Sequence, residues 1–328
     1  MGYLKRLKRY LGSAWKTTAN MGMSTGTRIM VFFDAFYCRL RFHVSLDEYF
    51  YLRFYNYKNR YRKNFLLEYH QANRYRRVNN SLVTQSKYGF YSRISDLFQR
   101  EVILVPNCGE EAFLSFVKKH KYVVLKPNMG SLGKGVFTLT YENDEQALQS
   151  FREISDEMVC EEYIRQHKAL AELNPHSVNT IRLVSIRNND QDIEIVSATI
   201  RSGAREGCFV DNMACGGLVA QIDPETGIIS SFGIGHDNQR YAYHPITKKQ
   251  LIGLNIPHWS EAIALIKSAH SRLKENPIVG WDIAITETGV DIVEANSAPS
   301  PSVMQVADLV PKGEKILKIL NNKKNHVY

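Results

Sequence analysis

The chain has 328 residues, of which 44% are hydrophobic, and its formal net charge is +9. That length and content are ordinary for a globular protein and predict one compound domain with an extension. The five cysteines form no CxxC pair and are odd in number, which favours reduced thiols over a disulfide framework or a zinc site. No apolar run has the length of a membrane span, and the basic N-terminus lacks the apolar region of a secretory signal. We therefore expect a cytoplasmic protein.

The basic excess is confined to the N-terminal quarter of the chain. Residues 1–86 contain 16 Lys and Arg against 4 Asp and Glu, a net charge of +12, whereas the remaining residues, with 26 against 29, carry −3. Within residues 1–18, apolar side chains recur at helical spacing among lysines and arginines: Leu4, Leu7, Leu11, Ala14 and Trp15. Three interpretations remain open: an amphipathic helix that binds an anionic membrane surface or a polyanionic substrate, a helical cap on the folded core, and a nucleic-acid surface, which no recognisable module supports.

A lysine ends the first strongly apolar strand. Residues 122–127 read as a buried strand that includes Lys126, residues 128–135 as a glycine-rich loop, and residues 136–140 as a second strand. Glycines beside a lysine allow backbone N–H groups to close over phosphate oxygens. The loop is neither a P-loop nor a dinucleotide fingerprint, because Gly135 follows Lys134 and a strand follows the loop. We expect Lys126 to point into a site and not to be an exposed edge residue.

Three further strands and a helix are predicted before the C-terminal region. Residues 157–164 form a strand, after which the chain crosses between subdomains; residues 177–186 and 193–200 form two more strands, and residues 259–274 an amphipathic helix. Asn179 and Arg182 lie near the entry of one strand, Arg201 follows the next, and a polar loop then reaches Asn212. Arginines beside glycine-rich loops commonly bind phosphate or carboxylate, although many surface arginines have no such role.

The most informative feature is a predicted β-hairpin near the C-terminus. Residues 279–285 and 290–295 are apolar and β-branched, with a turn signal between them. A loop centred on Thr288 sets Asp282 opposite Glu294, and alternation along the strand puts Asn296 on the same face. Three oxygen donors suit Mg²⁺ holding a polyphosphate better than zinc. The alternative is a hairpin whose polar residues face water.

The order of these features resembles the ATP-grasp superfamily. Its detail resembles the sugar-transfer-associated ATP-grasp family, through residues 161–186 (EEYIRQHKALAELNPHSVNTIRLVSI), 210–217 (VDNMACGG) and 280–301 (GWDIAITETGVDIVEANSAPSP). The resemblance covers roughly residues 85–310. It implies an α+β ATP-grasp fold in which two α+β subdomains clamp ATP. The expected segments are residues 1–85, which are basic and mainly helical, residues 86–165, which form the first subdomain, and residues 166–328, which form the second subdomain with the metal site. The glycine-rich loop of the first subdomain, Gly130–Gly135, would be a mobile flap.

The resemblance also implies roles for particular residues. ATP and Mg²⁺, as two ions and with Mn²⁺ as an alternative, would be the cofactors, and Asp282, Glu294 and Asn296 the metal ligands. The nucleotide contacts would be Lys87, Lys126, Gly130, Ser131, Gly133, Lys134, Gly135, Glu161, Glu162 and Ile164. Asn179, Arg182, Arg201 and Asn212 would contact the reacting groups. One departure is Gly280, which stands where many ATP-grasp ligases have an arginine, so Arg182 or Arg201 would have to supply that charge.

The implied activity is a carboxylate–amine ligase that forms a C–N bond through an acyl phosphate, with a setting in surface-polysaccharide biosynthesis. Its partners would be a carboxylate, as a small molecule or on a polysaccharide, and an amine; a peripheral place at the inner face of the membrane is an alternative to a purely cytoplasmic one. A kinase with Asp211 or His176 as base is a rival interpretation. A non-catalytic nucleotide-binding protein is another, disfavoured because the metal set and the phosphate lysine are both intact.

Overall fold

The computed structural model describes residues 3–80, 86–130, 134–188, 192–204, 216–235 and 237–323. The chain divides into two compact units, one formed by Met1–Arg77 with Ser300–Tyr328 and the other by Val78–Pro299. We call them the N-terminal unit and the central unit. The division into residues 1–85, 86–165 and 166–328 stays a prediction; in the contact pattern, residues 300–328 join the N-terminal unit.

The N-terminal unit is helical in its described residues, as predicted. Its helices are α1 (Tyr3–Asn20), α2 (Thr25–Phe42), α3 (Leu46–Tyr51), α4 (Asn59–Arg62), α5 (Glu68–His70) and the C-terminal helix α12 (Gly313–Lys323), while α6 (Arg76–Val78) ends this part of the chain. Ser45 begins α3 with a capping box, since its hydroxyl accepts from Glu48 N while the Glu48 carboxylate accepts from Ser45 N. The core packs one face of α2 (Val31, Ala35 and Cys38) against aromatic side chains of the following helices.

Asp34 interrupts the apolar run of α2 for a structural reason. Its carboxylate accepts two hydrogen bonds from the Arg62 guanidinium, at 2.8 and 2.7 Å, and one from Tyr49 Oη at 2.6 Å. The Arg62 side chain is only 6% exposed and donates further bonds to Phe54 O. A buried guanidinium needs a charged partner. Asp34 therefore ties α2 to α4.

A four-stranded antiparallel sheet begins the central unit. Its strands are β1 (Val102–Val105), β2 (Tyr122–Pro127), β3 (Phe137–Thr140) and β4 (Met158–Glu162), in the order β1-β4-β2-β3. The helices before and between them are α7 (Lys87–Arg93), α8 (Glu110–His120) and α9 (Asp144–Glu153). Phe113 and Val117 of α8 pack with Val123 and Cys160 in a buried apolar cluster, in which Cys160 is a small core residue.

A seven-stranded antiparallel sheet forms the rest of the central unit, in the order β11-β10-β5-β6-β7-β8-β9. Its strands are β5 (Thr180–Arg187), β6 (Ile193–Gly203), β7 (Gly217–Gln221), β8 (Gly233–Gly235), β9 (Arg240–Tyr241), β10 (Ile278–Thr286) and β11 (Gly289–Asn296). The short helix α10 (Lys168–Ala171) precedes it, and α11 (Trp259–Ser271) packs on it. The strands and the helix predicted from the sequence are confirmed with small shifts in their ends.

One buried polar chain fixes α11 against this sheet. Trp281 is fully buried in β10, and its indole N–H donates to Ser185 Oγ at 2.7 Å. The same hydroxyl bonds His270 Nδ1 at 2.6 Å, and His270 Nε2 bonds Asn276 O at 2.8 Å. The indole N–H, the hydroxyl and both ring nitrogens of His270 are thereby paired away from water. None of the helices in the described ranges is long and apolar enough to cross a membrane.

Candidate active site

The hairpin β10–β11 brings Asp282 and Glu294 together as predicted, by a route the sequence did not indicate. The turn has two residues, Glu287 and Thr288, and Thr286 pairs with Gly289. If that register continued along the whole hairpin, Glu294 would not pair with Asp282. A β-bulge corrects it, because Ile283 pairs with Ile292 whereas Asp282 pairs with Glu294. The extra residue between Ile292 and Glu294 changes which face the following side chains occupy.

The bulge separates a core face from a polar face on one strand. Before it, Val290 and Ile292 belong to the apolar core beneath the sheet. After it, Glu294 and Asn296 pair with Asp282 and Gly280 on the opposite face. The interpretation of a hairpin with water-facing polar residues is wrong for its central member, because Asp282 is only 2% exposed. Asn296 Nδ2 donates to Glu294 Oε1 at 3.2 Å, so the two predicted ligands of β11 are in contact.

Arg182 and Arg201 converge on Asp282. Arg182 lies opposite Asp282 on the neighbouring strand β5 and grips it with two nitrogens: Nε bonds Oδ1, and a terminal nitrogen bonds Oδ2 at 2.9 Å. A terminal nitrogen of Arg201, on β6, lies 3.1 Å from the same Oδ2 and also donates to Thr180 Oγ1. Burial alone would raise the pKa of Asp282, but the two guanidinium groups outweigh it and hold that pKa well below its usual range. Asp282 is therefore ionised.

Glu294 is affected in the opposite direction. Burial and the negative charge of Asp282 raise the pKa of Glu294 above its ordinary value. Two carboxyl groups in contact repel each other when both are ionised, and a hard divalent cation relieves that repulsion. The donor set of two carboxylates and the Asn296 amide thus fits Mg²⁺. Among the residues that the structure describes, no group of three or more His, Cys, Asp or Glu could hold a metal ion. The predicted ligand set is not a group of that kind, because its third member is the amide of Asn296.

Two lysines lie near this acidic pair. The Lys126 ammonium forms an ion pair with Glu161 Oε2 at 2.7 Å. Lys87, at the start of α7, donates to Pro127 O at 2.8 Å and to Gly130 O at 3.1 Å. Burial, with a smaller contribution from Lys126, lowers the pKa of Lys87, and the nearby Glu294 opposes that shift. The lysine at the end of β2 and the lysine of α7 thus meet where the predicted flap begins.

The described ends of the flap require glycine. Gly130 has φ +119° and Gly135 has φ +74°, in the region that other residues rarely adopt. A Cβ on Gly135 would also lie 2.9 Å from Pro127 Cγ. Lys134 is exposed beside Gly135. The predicted contacts Ser131 and Gly133 fall outside the described residues, as do Asn212 and Asp211.

Arg100 is a central residue that the sequence analysis missed. Its side chain is 4% exposed and bridges Glu161 Oε2, at 3.2 Å, to Asp291 Oδ2, at 2.7 Å. It also donates to the carbonyl oxygens of Ile292 and Val293, at the bulge. Burial alone would raise the pKa of Glu161, but Arg100 and Lys126 together hold it below its ordinary value. The only signal in the sequence is a basic residue two positions before β1, which is too common to be distinctive.

A cavity unites these elements. Lys87, Arg100, Glu161, Glu294 and Asn296 line it together with apolar side chains that include Phe90, Tyr91, Phe98, Val102 and Val159. Ligand sites of this type combine an apolar lining with a few convergent polar groups. The cavity therefore brings two predicted nucleotide contacts, Lys87 and Glu161, together with two predicted metal ligands, Glu294 and Asn296.

The remaining predicted residues have other surroundings. Glu162 pairs its backbone N–H with Glu101 O at 3.1 Å, and its carboxylate lies 3.7 Å from His120 Nδ1. Ile164 follows β4 and is half-buried. Asn179 is fully buried: its amide N–H groups bond Gln166 Oε1, Leu170 O and Asn174 O, and its oxygen accepts from Ser202. These bonds describe a structural residue, and contact of Asn179 with a reacting group stays a prediction. His176 is exposed in the loop before β5.

The fold and the site define a protein of the ATP-grasp class, since two antiparallel sheets carry a strand-end lysine, a glycine-bounded loop and an acidic hairpin in that order. Residues 62–322 match the sugar-transfer associated ATP-grasp family, and the chain belongs to it. The resemblance inferred from the motifs and the α+β ATP-grasp fold are thereby confirmed. No curated protein matches the sequence.

Solved structures resemble the chain at low sequence identity. They include the ADP complex of N5-carboxyaminoimidazole ribonucleotide synthetase, with 16% identity, a TM-score of 0.43 and coverage of 68% of this chain and 47% of the other. D-Alanine-D-alanine ligase from Helicobacter pylori has 16% identity, a TM-score of 0.41 and coverage of 74% and 59%. D-Alanyl-alanine synthetase A from Vibrio cholerae has 10% identity, a TM-score of 0.45 and coverage of 74% and 65%. The chain spans less than two-thirds of each of these proteins.

Proposed function

We propose that the protein is an ATP- and Mg²⁺-dependent ligase that joins a carboxylate to an amine through an acyl phosphate. The observation that carries the proposal is the pair of buried Asp282 and half-buried Glu294, with Arg182 and Arg201 beside Asp282. Acidic ligands for a hard cation next to two fixed guanidinium groups suit a reaction in which negative charge gathers on a transferring phosphoryl group. Many ATP-grasp ligases have an arginine where this chain has Gly280, and Arg182 and Arg201 supply equivalent charge here.

The nucleotide would lie in the cavity lined by Lys87, Arg100 and Glu161. Lys126 and Lys87 would contact its phosphates. Glu161 and the backbone of Glu162 and Ile164 would contact its adenine. Lys126 now pairs with Glu161, and an incoming phosphate would compete for its ammonium. Gly130 and Gly135 allow the intervening backbone to close over the phosphates and to exclude water.

The proposed reaction consists of two successive substitutions, one at phosphorus and one at the acyl carbon. An oxygen of the acceptor carboxylate attacks the γ-phosphorus of ATP, the bond to the β-phosphate oxygen breaks, and ADP leaves. The amine then attacks the acyl carbon, an amide forms, and inorganic phosphate leaves with the loss of one proton from nitrogen. Asp282, Glu294 and Asn296 would hold Mg²⁺, which would neutralise charge on the phosphates. Arg182 and Arg201 would stabilise the phosphoryl and carbonyl oxygens as they gain charge.

The substrate class is inferred from the family. A sugar-transfer associated ATP-grasp protein would attach an amino acid or another amine to a sugar acid during the synthesis of a surface polysaccharide. Recognition of the acceptor carboxylate would again fall to arginine, which binds carboxylates through two parallel hydrogen bonds.

The test is nucleotide turnover with pooled substrates. The protein is incubated with Mg-ATP, sugar acids, amino acids and polyamines, and ADP and phosphate are quantified for the wild type, for Asp282→Asn and for Asp156→Asn, an exposed carboxylate outside the site. We expect ADP to accumulate only when a carboxylate and an amine are both present. Asp282→Asn should lower the rate by about a hundredfold or more, since it removes a ligand of the charge-neutralising ion, while Asp156→Asn stays at the wild-type rate.

Isotope transfer separates the ligase from its rivals. Oxygen-18 in the carboxylate should appear in the released phosphate if an acyl phosphate forms. Phosphate without the label, together with a phosphorylated hydroxyl, would establish a kinase. Nucleotide binding without turnover by any pool, unchanged in Asp282→Asn, would establish a binding protein.

A further inference from the structure

Helix α2 is apolar on two opposite faces, and among the described residues the exposed apolar side chains lie on one of them. Val31, Ala35 and Cys38 face the core of the N-terminal unit. At 100° per residue, the side chains at positions 29, 30, 33, 37 and 40 fall on the far side of the helix. They are the exposed apolar side chains Ile29 (47%), Met30 (69%), Phe33 (64%), Tyr37 (43%) and Leu40 (57%). We call these five residues the α2 stripe.

The α2 stripe is continuous and carries no charged side chain. A stretch from residue 29 to residue 40 extends along about 16 Å of helix at 1.5 Å per residue. Single exposed hydrophobic residues are ordinary on a protein surface, but a contiguous patch marks an interaction site. Asp34, the one acidic residue of α2, is paired with the Arg62 guanidinium. The stripe is therefore uncharged, and its one side-chain polar atom, Tyr37 Oη, accepts a hydrogen bond from Asn59 Nδ2 at 3.0 Å.

Cations lie on helix α2, which carries this apolar surface, and on helix α1. Residues 1–45 contain eight Lys or Arg and a single Asp. Arg39 and Arg41 are exposed in the last turn of α2, and Lys16 is exposed on α1, which packs beside it. Trp15 is 39% exposed, with the Arg28 guanidinium 4.0 Å from its ring centre. Tryptophan and arginine at the border of an apolar face are typical of the boundary between lipid headgroups and acyl chains.

We propose that the N-terminal unit docks on an anionic lipid surface, with the α2 stripe in contact with the acyl region and the cations of α1 and α2 in contact with acidic headgroups. Charge decides between this occupant and a second copy of the chain. Two copies joined through the same stripe would bring the arginines of one against those of the other, which opposes association. An anionic bilayer provides the opposite charge at the same border. This inference concerns the N-terminal unit and does not rest on the proposed ligase activity.

The experiment measures partitioning of the full-length protein onto phosphatidylcholine vesicles with and without phosphatidylglycerol. The stripe variant is Met30→Gln with Phe33→Gln, which removes the two most exposed apolar side chains without changing charge. Its matched control is Phe232→Gln with Tyr243→Gln, exposed at 41% and 55% in the central unit. We expect the wild type and the control to bind vesicles that contain phosphatidylglycerol. The stripe variant should bind at least about tenfold more weakly, since burial of each such side chain contributes substantially to partitioning.

A charge variant tests the second half of the proposal. Lys16→Gln with Arg41→Gln should lose about tenfold or more in binding to the acidic vesicles, and added salt should weaken wild-type binding. Circular dichroism should be unchanged in every variant because the altered side chains are exposed. Sedimentation without vesicles gives the oligomeric state.

Several results would overturn the proposal. They are no wild-type binding to acidic vesicles, equal binding to pure phosphatidylcholine, or equal binding by the wild type and the stripe variant. A wild-type dimer that becomes a monomer in the stripe variant would identify a second copy as the occupant. Binding to soluble polyphosphate that the stripe variant retains in full, without vesicle binding, would identify an acidic polymer. None of these outcomes depends on nucleotide turnover.

Discussion

Replacement of Arg100 tests whether strand β4 and the hairpin β10–β11 are held together by charge. The Arg100→Met variant keeps much of the side-chain volume and removes the guanidinium. Glu161 would retain its ion pair with Lys126 at 2.7 Å, so Asp291, whose side chain is 2% exposed, would be the carboxylate left buried without a cation. An orphaned buried charge of this kind costs about 3–5 kcal/mol. We expect the free energy of unfolding of the central unit to fall by about 4 kcal/mol.

A double-mutant cycle separates the charge contribution from lost packing. Asp291→Asn removes the charge but keeps an oxygen that can accept from Gln99 N. If the cost of Arg100→Met is mainly the orphaned carboxylate, the double variant should be more stable than the sum of the single losses by about 2 kcal/mol. Arg100→Lys keeps one cation but not the fork, and should lose about half as much as Arg100→Met.

The assay is urea unfolding followed by tryptophan fluorescence, which reports on the central unit through Trp259 and Trp281. The slope of the transition must stay constant across the variants for the free energies to be comparable. Strict additivity in the cycle, or a loss below about 1 kcal/mol for Arg100→Met, would refute the argument from buried charge.

Three further predictions concern other parts of the chain. Burial lowers the pKa of His244 from 6.5, so the unfolded state takes up a proton at a higher pH than the folded state does. The stability that neutral His244 contributes is complete above pH 6.5 and is lost as the pH falls through the folded-state pKa. The melting temperature of His244→Gln should therefore depend less on pH than that of the wild type. Asp34→Asn leaves the guanidinium of Arg62 without its carboxylate and should cost about 2 kcal/mol in chemical unfolding of the N-terminal unit. Gly135→Ala forces a Cβ to within 2.9 Å of Pro127 Cγ at φ +74° and should raise the KM for ATP several-fold with little loss of melting temperature.

Each of these predictions has its own control. His70→Gln alters a second histidine whose pKa burial lowers, in the N-terminal unit, so it should leave the pH dependence of the central unit unchanged. A pH dependence of His244→Gln as steep as that of the wild type would contradict the assignment. Asp47→Asn removes an acidic residue of α3 and should cost less than Asp34→Asn. Gly253→Ala has comparable strain at φ +89° with open space around it, and an equal effect on KM would show that the contact with Pro127 is irrelevant.

Local patterns in the sequence predicted the strands of the central unit well. Alternation and β-branched content placed β2, β5 and the hairpin β10–β11, because each strand buries a continuous apolar face. The pairing of Asp282 with Glu294 was also predicted, and it is confirmed. The loop centred on Thr288 was wrong, because the turn consists of Glu287 and Thr288 and a bulge restores the pairing. A bulge has no periodic signature, since one extra residue in a strand looks like any other residue of that strand.

Contacts between distant residues could not be predicted. Arg100 and Asp291 are separated by 191 positions. Arg100 lies in no distinctive motif, and the motif of residues 280–301, which contains Asp291, does not indicate its partner. Their pairing follows from the strand order, which sequence spacing does not contain. For Asn179, a motif position suggested contact with a reacting group, which stays a prediction, and its hydrogen bonds to Leu170 O and Asn174 O could not be foreseen from the sequence. The predicted segment boundaries also rested on local patterns, and no local pattern indicates that residues 300–328 belong to the same unit as the start of the chain.

The bulge at Val293 has a consequence for comparing related chains. Deletion of Val293 would place Glu294 directly after Ile292, opposite Asp282 in a regular register, so the acidic pair would be retained without a bulge. With Val293 present, a regular register would instead put Val293 opposite Asp282 and turn Glu294 towards the core. A related chain with a one-residue gap at position 293 can therefore keep this site, whereas one that has the residue needs the bulge as well as the Asp, Glu and Asn.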